Sequence, residues 1–104
     1  MLRIPKNRIT THPGEVLLED FLRPLDLSQS ALARHIDRPV QVINEIVRGK
    51  RGISPEMAIL LGQALDTTAE FWVNLNAMYE LSAAVQKRER AAIRPLRPRH
   101  EAPA

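Results

Sequence analysis

The chain has 104 residues, 44% of them apolar and 26% charged, with a net charge of +3. That is ordinary composition for one globular domain with tails, and it excludes a multidomain enzyme, a collagen-like chain and a wholly disordered one. The chain contains no cysteine, so disulfides, thiolate metal sites and cysteine nucleophiles are excluded, and a domain this small depends on a well-packed core or a partner subunit.

Alternation of apolar and polar residues is nearly absent, and no Asn-Gly or Asp-Gly hairpin signal occurs. Apolar spacings of three and four residues run through the chain instead, which predicts an all-α fold of five helices. The first helix opens at Pro13, a residue suited to the first helical position. Val16, Leu17, Phe21 and Leu22 form its inward stripe, and Pro24 stops it. The second starts after Ser28 as N-cap, turns Leu32, Ala33 and Ile36 inward, and ends at Asp37-Arg38. The third is expected to open with Pro39 at its first position, with Val40, Ile43, Ile46 and Val47 on its apolar side. Gly49 and Gly52 then bracket a basic loop, Lys50-Arg51.

The fourth helix has Ser54 as N-cap, Pro55 at the first position and Glu56 in the first turn, followed by Met57, Leu60, Leu61 and Leu65. The fifth is expected to use Thr67 as N-cap, with Glu70 three residues on completing a capping box. Phe71, Trp72, Leu75, Met78 and Tyr79 form an aromatic and apolar stripe along it, for the core alone or for core and dimer contact together. The expected organisation is a basic N-terminal arm over 1–11, a helical domain over 12–86, and a basic, proline-containing tail over 87–104 that is largely disordered.

Charge is zoned along this order. Residues 1–12 carry only cations (Arg3, Lys6, Arg8), and residues 34–51 are again basic through Arg34, Arg38, Arg48, Lys50 and Arg51. Residues 52–86 carry only acids: Glu56, Asp66, Glu70 and Glu80. The tail is basic once more. The partner question therefore has to be asked zone by zone.

The second and third helices, a few residues apart, make a helix-turn-helix, whose second helix enters the major groove of DNA. Ala33 falls where the helices cross and its small side chain permits close approach. Position 37 lies in the turn, which often needs a left-handed backbone; glycine is easiest there, and aspartate tolerates it better than most residues. Arg38, Gln41 and Asn44 then stand where base edges are read: arginine suits guanine, and glutamine or asparagine suits adenine. Val40 is placed to meet a thymine methyl. Ser28, Gln29, Lys50 and Arg51 are placed for phosphates. The plain alternative is a five-helix bundle whose polar residues are merely solvated.

Five segments resemble the HigA-type antitoxins within the XRE (Cro/C1-type, lambda repressor-like) helix-turn-helix regulators. They are His12-Pro13-Gly14-Glu15, Ala31-Leu32-Ala33-Arg34, Ile43-Asn44-Glu45-Ile46, the run from Gly49 through Ala58, and Glu70-Phe71-Trp72-Val73-Asn74-Leu75, together spanning about residues 12–81. Two departures stand out: Asp37 replaces the commoner turn residue, and Asn76 stands where the family usually has glutamine. The resemblance implies a homodimeric repressor of its own promoter, bound to double-stranded operator DNA. It also implies a cognate small basic toxin of the HigB/RelE-like mRNA-cleaving class, neutralised by complex formation.

Other features carry less. Glu15, Glu19 and Asp20 on the first helix are a solvated face with a Glu19–Arg23 pair, or a surface for that basic toxin. The basic tails have three readings: inert, in contact with phosphates beside the operator, or in contact with the toxin. The histidines form no metal or catalytic motif, His12 belonging to the start of the first helix. No glycine-rich phosphate loop or nucleophile elbow occurs, so no enzyme activity, metal or cofactor is expected. No apolar run approaches the roughly 20 residues that cross a bilayer, and Met1 to Lys6 lacks a signal-peptide core. A soluble cytoplasmic protein is the expectation. A standalone Cro/C1-type repressor without a toxin, and a helical partner-binding module without DNA binding, are the rival functions.

Overall fold

The computed structural model describes residues 9–88 and 93–97. Among the described residues every regular element is a helix, in five units. The first, α1, begins as an α-helix over Pro13–Val16 and runs on as a π-helical segment over Leu17–Leu22. Then follow α2 (Gln29–His35), α3 (Val40–Val47), α4 (Pro55–Leu65) and α5 (Ala69–Lys87).

Four helix ends close in one way. The amide N–H groups of Leu27, Arg38, Lys50 and Thr67 donate to the carbonyls of Leu22, Ala33, Glu45 and Gly62, at 2.9, 3.0, 2.8 and 2.9 Å. Each bond spans five residues, as in a Schellman closure, and the residue before each donor is left-handed. Those residues are Asp26, Asp37, Gly49 and Asp66, with φ of 54°, 57°, 76° and 60°. The turn expected at Asp37 is thus present, and two more aspartates act in the same way. All three stand two residues before the next helix's N-cap: Ser28, Pro39 and Thr68.

Two helix starts differ from expectation. Pro39 is extended (ψ 140°) and serves as the N-cap residue of α3, not as its first helical residue. The left-handed Asp37 has already ended α2, so the chain needs Arg38 and Pro39 to change direction. The cap of α5 is Thr68, whose hydroxyl accepts from the Phe71 amide, and Glu70 therefore falls one position short of a capping box. Thr67 is engaged elsewhere, its Oγ1 accepting from Trp72 Nε1 at 2.8 Å.

The π-helical segment has a packing consequence. A wider turn brings residues five apart onto nearly one face, and Leu17 and Leu22 are both fully sequestered. They join Leu32, Ala33, Ile36, Ile43, Ile46, Ile53, Met57, Ala58, Leu61 and Trp72 in one core. Val16, Phe21, Leu60, Leu65 and Leu75 pack on its margin, whereas Val40 faces outward, 45% exposed. Phe21, Phe71 and Trp72 cluster with tilted or edge-on rings, centroids 5.0–6.1 Å apart, and join α1 to the first turn of α5.

The N-terminal side is fastened at two points. A Cβ on Gly14 would overlap the Ile46 carbonyl oxygen, so α1 begins in direct backbone contact with the end of α3. Thr10 donates its amide to the buried Ser82 hydroxyl of α5 at 3.0 Å. The cations of the expected arm, Arg3, Lys6 and Arg8, lie outside the described residues, as do tail residues 89–92 and 98–104. No described helix is long and apolar enough to cross a membrane.

Candidate nucleic-acid interface

The interface is built on the α2–α3 pair. Ala33 is buried where the two helices pack. Ile43 and Ile46 hold α3 from beneath, leaving Val40, Gln41, Asn44, Glu45 and Arg48 on its outer side. The amphipathic spacing of α3 therefore decides which residues a groove could meet.

The expected base readers begin there, with Arg38, Gln41 and Asn44 already partnered. Arg38 lies in the turn, donates to the Asp37 carbonyl at 2.8 Å, and pairs with Glu56 at the start of α4. Gln41 is exposed and donates to Glu45 at 3.4 Å. Asn44 is half-buried and donates to Gln29 Oε1 at 3.3 Å, which links α3 to the first turn of α2. The Ser28 hydroxyl is engaged as the α2 cap, accepting from the Ala31 amide at 3.0 Å.

Lys50 and Arg51 are exposed in the α3–α4 loop. The Arg51 guanidinium binds Glu45 through Nε at 2.8 Å and Nη2 at 2.7 Å. That hydrogen bond is the main reason the Glu45 carboxyl is held below its ordinary range. Asn76 of α5 fixes the same loop from the other side, accepting from the Ile53 amide at 2.9 Å.

Asn76 and Glu45 are not among the expected site residues. Asn76 had a signal: it is a polar residue four positions after Trp72, at inward helical spacing. Glu45 had one too, lying four residues after Gln41 on one helix face.

His12, expected at the start of the first helix, is its N-cap. Its Nδ1 accepts from the Gly14 amide at 2.8 Å, and its ring meets Tyr79 edge-on at 4.6 Å. Burial lowers its pKa, against a smaller upward pull from Glu80. Glu15, Glu19 and Asp20 are exposed on α1, with Glu19 bound to Arg23 at 3.1 Å. Along α5, Trp72 lies wholly in the core, while Leu75, Met78 and Tyr79 are half-buried and Phe71 is 38% exposed. Leu81 and Val85, outside the expected stripe, are its more exposed apolar residues at 53% and 42%. Among the described residues no group of three histidine, aspartate or glutamate side chains could hold a metal.

Two helices crossing at a small residue, a left-handed turn between them and an outward polar face on the second define a helix-turn-helix domain. The helix-turn-helix family profile matches residues 18–72. The Pseudomonas aeruginosa antitoxin HigA, solved with the higBA promoter, is 46% identical and superposes with a TM-score of 0.75 over 83% of this chain and 97% of that one. An addiction module antidote protein of the HigA family from Coxiella burnetii is 31% identical, with a TM-score of 0.78 over 85% and 99%. Virulence-associated protein I of Dichelobacter nodosus is 40% identical over 75% of this chain and 72% of its own length. The chain belongs to the HigA-type antitoxin family of XRE helix-turn-helix proteins. Its fold and family are those of a DNA-binding regulator, not of an enzyme.

Proposed function

We propose that the protein is the antitoxin of a type II toxin–antitoxin module: a homodimeric, sequence-specific repressor of its own promoter that also neutralises a HigB/RelE-like mRNA-cleaving toxin by binding it. The observation that carries this reading is the outward edge of α3 and its flanking loop, where Arg38, Val40, Gln41 and Asn44 stand beside Lys50 and Arg51 on a helix-turn-helix frame. The likeness to an antitoxin solved with its promoter supports it. Arg38, Val40, Gln41 and Asn44 read bases; Ser28, Gln29, Lys50 and Arg51 hold phosphates. Two copies joined through α5 place two recognition helices about 34 Å apart, one turn of duplex. The exposed acids Glu15, Glu19 and Asp20 face the basic toxin.

The test is fluorescence anisotropy on the DNA upstream of the gene, with excess random competitor, across a salt series. Competitor-resistant binding with a footprint of two half-sites supports the repressor. Weak binding that salt or competitor abolishes would leave only generic basic attraction, and partner binding alone would become the function. Co-purification of a small basic ribonuclease separates an antitoxin from a standalone repressor. Charge reversal at Glu15 and Glu19 should raise the toxin off-rate, and unchanged neutralisation removes those residues from the contact.

A further inference from the structure

The geometry points to Glu45 as a specificity residue: its carboxylate disfavours sequence-independent duplex and is compensated on the operator by a cytosine amino group. The inference rests on the DNA-binding function proposed above and adds to it a residue that works partly by repulsion.

Three observations carry it. Glu45 lies on α3 four residues after Gln41, so the two share one face of the helix that carries the base readers. Its two carboxylate oxygens divide between a base reader and a phosphate cation: Oε2 accepts from Gln41 at 3.4 Å, and Oε1 accepts from Arg51 Nε at 2.8 Å. The contacts are at the surface, with the side chains of Arg51 and Glu45 50% and 30% exposed, so a duplex can displace them.

A negative charge on a surface that approaches phosphates is repelled by every duplex. Random DNA offers Arg51 a phosphate. In taking it, Arg51 leaves Glu45 uncompensated beside the polyanion; in declining it, the interface keeps one cation fewer. Either way, sequence-independent binding is weakened. The correct site supplies what random sequence lacks. Cytosine presents its 4-amino group in the major groove, and a carboxylate is the matching acceptor. Adenine's amino group sits beside the N7 acceptor, which repels a carboxylate. Gln41, released from Glu45, turns at the same time to its own base. Arg51 is then free for the backbone without leaving a bare carboxylate behind.

The test compares wild type, Glu45→Gln and Arg51→Gln on the upstream duplex and on a random duplex of equal length, by competition anisotropy, with thermal unfolding alongside. Glu45→Gln should tighten random binding by roughly 3–10-fold while operator affinity stays level or falls, so that the operator-to-random ratio drops by roughly threefold or more. Arg51→Gln leaves the carboxylate in place and should weaken both duplexes without lowering that ratio. Equal tightening of both duplexes by Glu45→Gln, or no change in either, would overturn the inference, because only a bulk charge would have been removed. Should Glu45→Gln unfold early, Arg51→Gln decides: a lowered ratio there overturns it. A wild type that does not distinguish the duplexes removes the DNA-binding function, and this inference with it.

Discussion

His12 shows how much one side chain can fasten. It caps α1 through Nδ1, and it can do so only while that nitrogen is unprotonated. Its pKa is lowered in the fold, chiefly by burial, so the folded state binds protons less readily than the unfolded chain. The stability this contributes is complete above the unfolded value of about 6.5 and is lost as pH falls through the folded value. The urea midpoint should therefore fall between pH 7.5 and pH 5.5. In His12→Asn, which keeps a cap but cannot titrate, it should stay flat over that window, and an equally steep fall would place the sensitivity elsewhere. Thr67 is a second such residue. Thr67→Val keeps the shape but leaves the buried Trp72 indole N–H without an acceptor. It should lower stability by about 1–3 kcal/mol in urea unfolding. The place of His12 at a helix start is legible in the sequence, whereas the capping role expected of Thr67 belongs to Thr68, because a hydroxyl at a helix entrance suits either a cap or a buried indole.

At the scale of the element, the short connections are set by chemistry local in sequence. Asp26, Asp37 and Asp66 each take the left-handed position that ends a helix, and each precedes an N-cap by two residues. Aspartate bears that conformation more easily than alanine and less easily than glycine. Asp66→Ala should cost about 0.5–1 kcal/mol and Asp66→Gly roughly nothing, as read from urea midpoints. A loss of equal size in both variants would show that the side chain, not the backbone conformation, matters there. The pattern is legible at Asp37 from the short connection between two helices, and the other two positions carry the same residue type in the same place. The π-helical segment was not legible: Leu17 and Leu22 read as members of an ordinary stripe, and only the requirement to bury both selects the wider turn.

At the scale of the whole molecule, α5 is the spine. Trp72 closes the core, Asn76 holds the basic loop, Tyr79 backs His12 and Ser82 holds Thr10. One long helix thus supports the start of α1 and the loop that follows α3. Its outer side still carries Leu81 and Val85. If α5 joins two copies, Leu81→Glu should give a monomer in sedimentation that still unfolds cooperatively, at a midpoint no longer dependent on protein concentration, and operator affinity should fall because the second recognition helix is lost. A Leu81→Glu protein that remains dimeric would move the interface off this face. Trp72→Ala makes the contrasting case: it empties the core and should cost about 3–5 kcal/mol, whatever the oligomeric state.

What the sequence determined by itself is what rests on neighbours along the chain. Helical periodicity, the serine caps before α2 and α4, the turn at Asp37 and the outward placement of Gln41 follow from interactions within a few residues. Those interactions act wherever the segment sits. The tertiary structure decided the pairings between distant residues: Thr10 with Ser82, Ile53 with Asn76, Arg38 with Glu56, and the bare approach of Gly14 to Ile46. It also decided that Trp72 belongs wholly to the core while Phe71, its neighbour, stays at the edge. A one-residue step along a helix turns a side chain by about 100°, and only the packed partners fix which of two adjacent rings points inward.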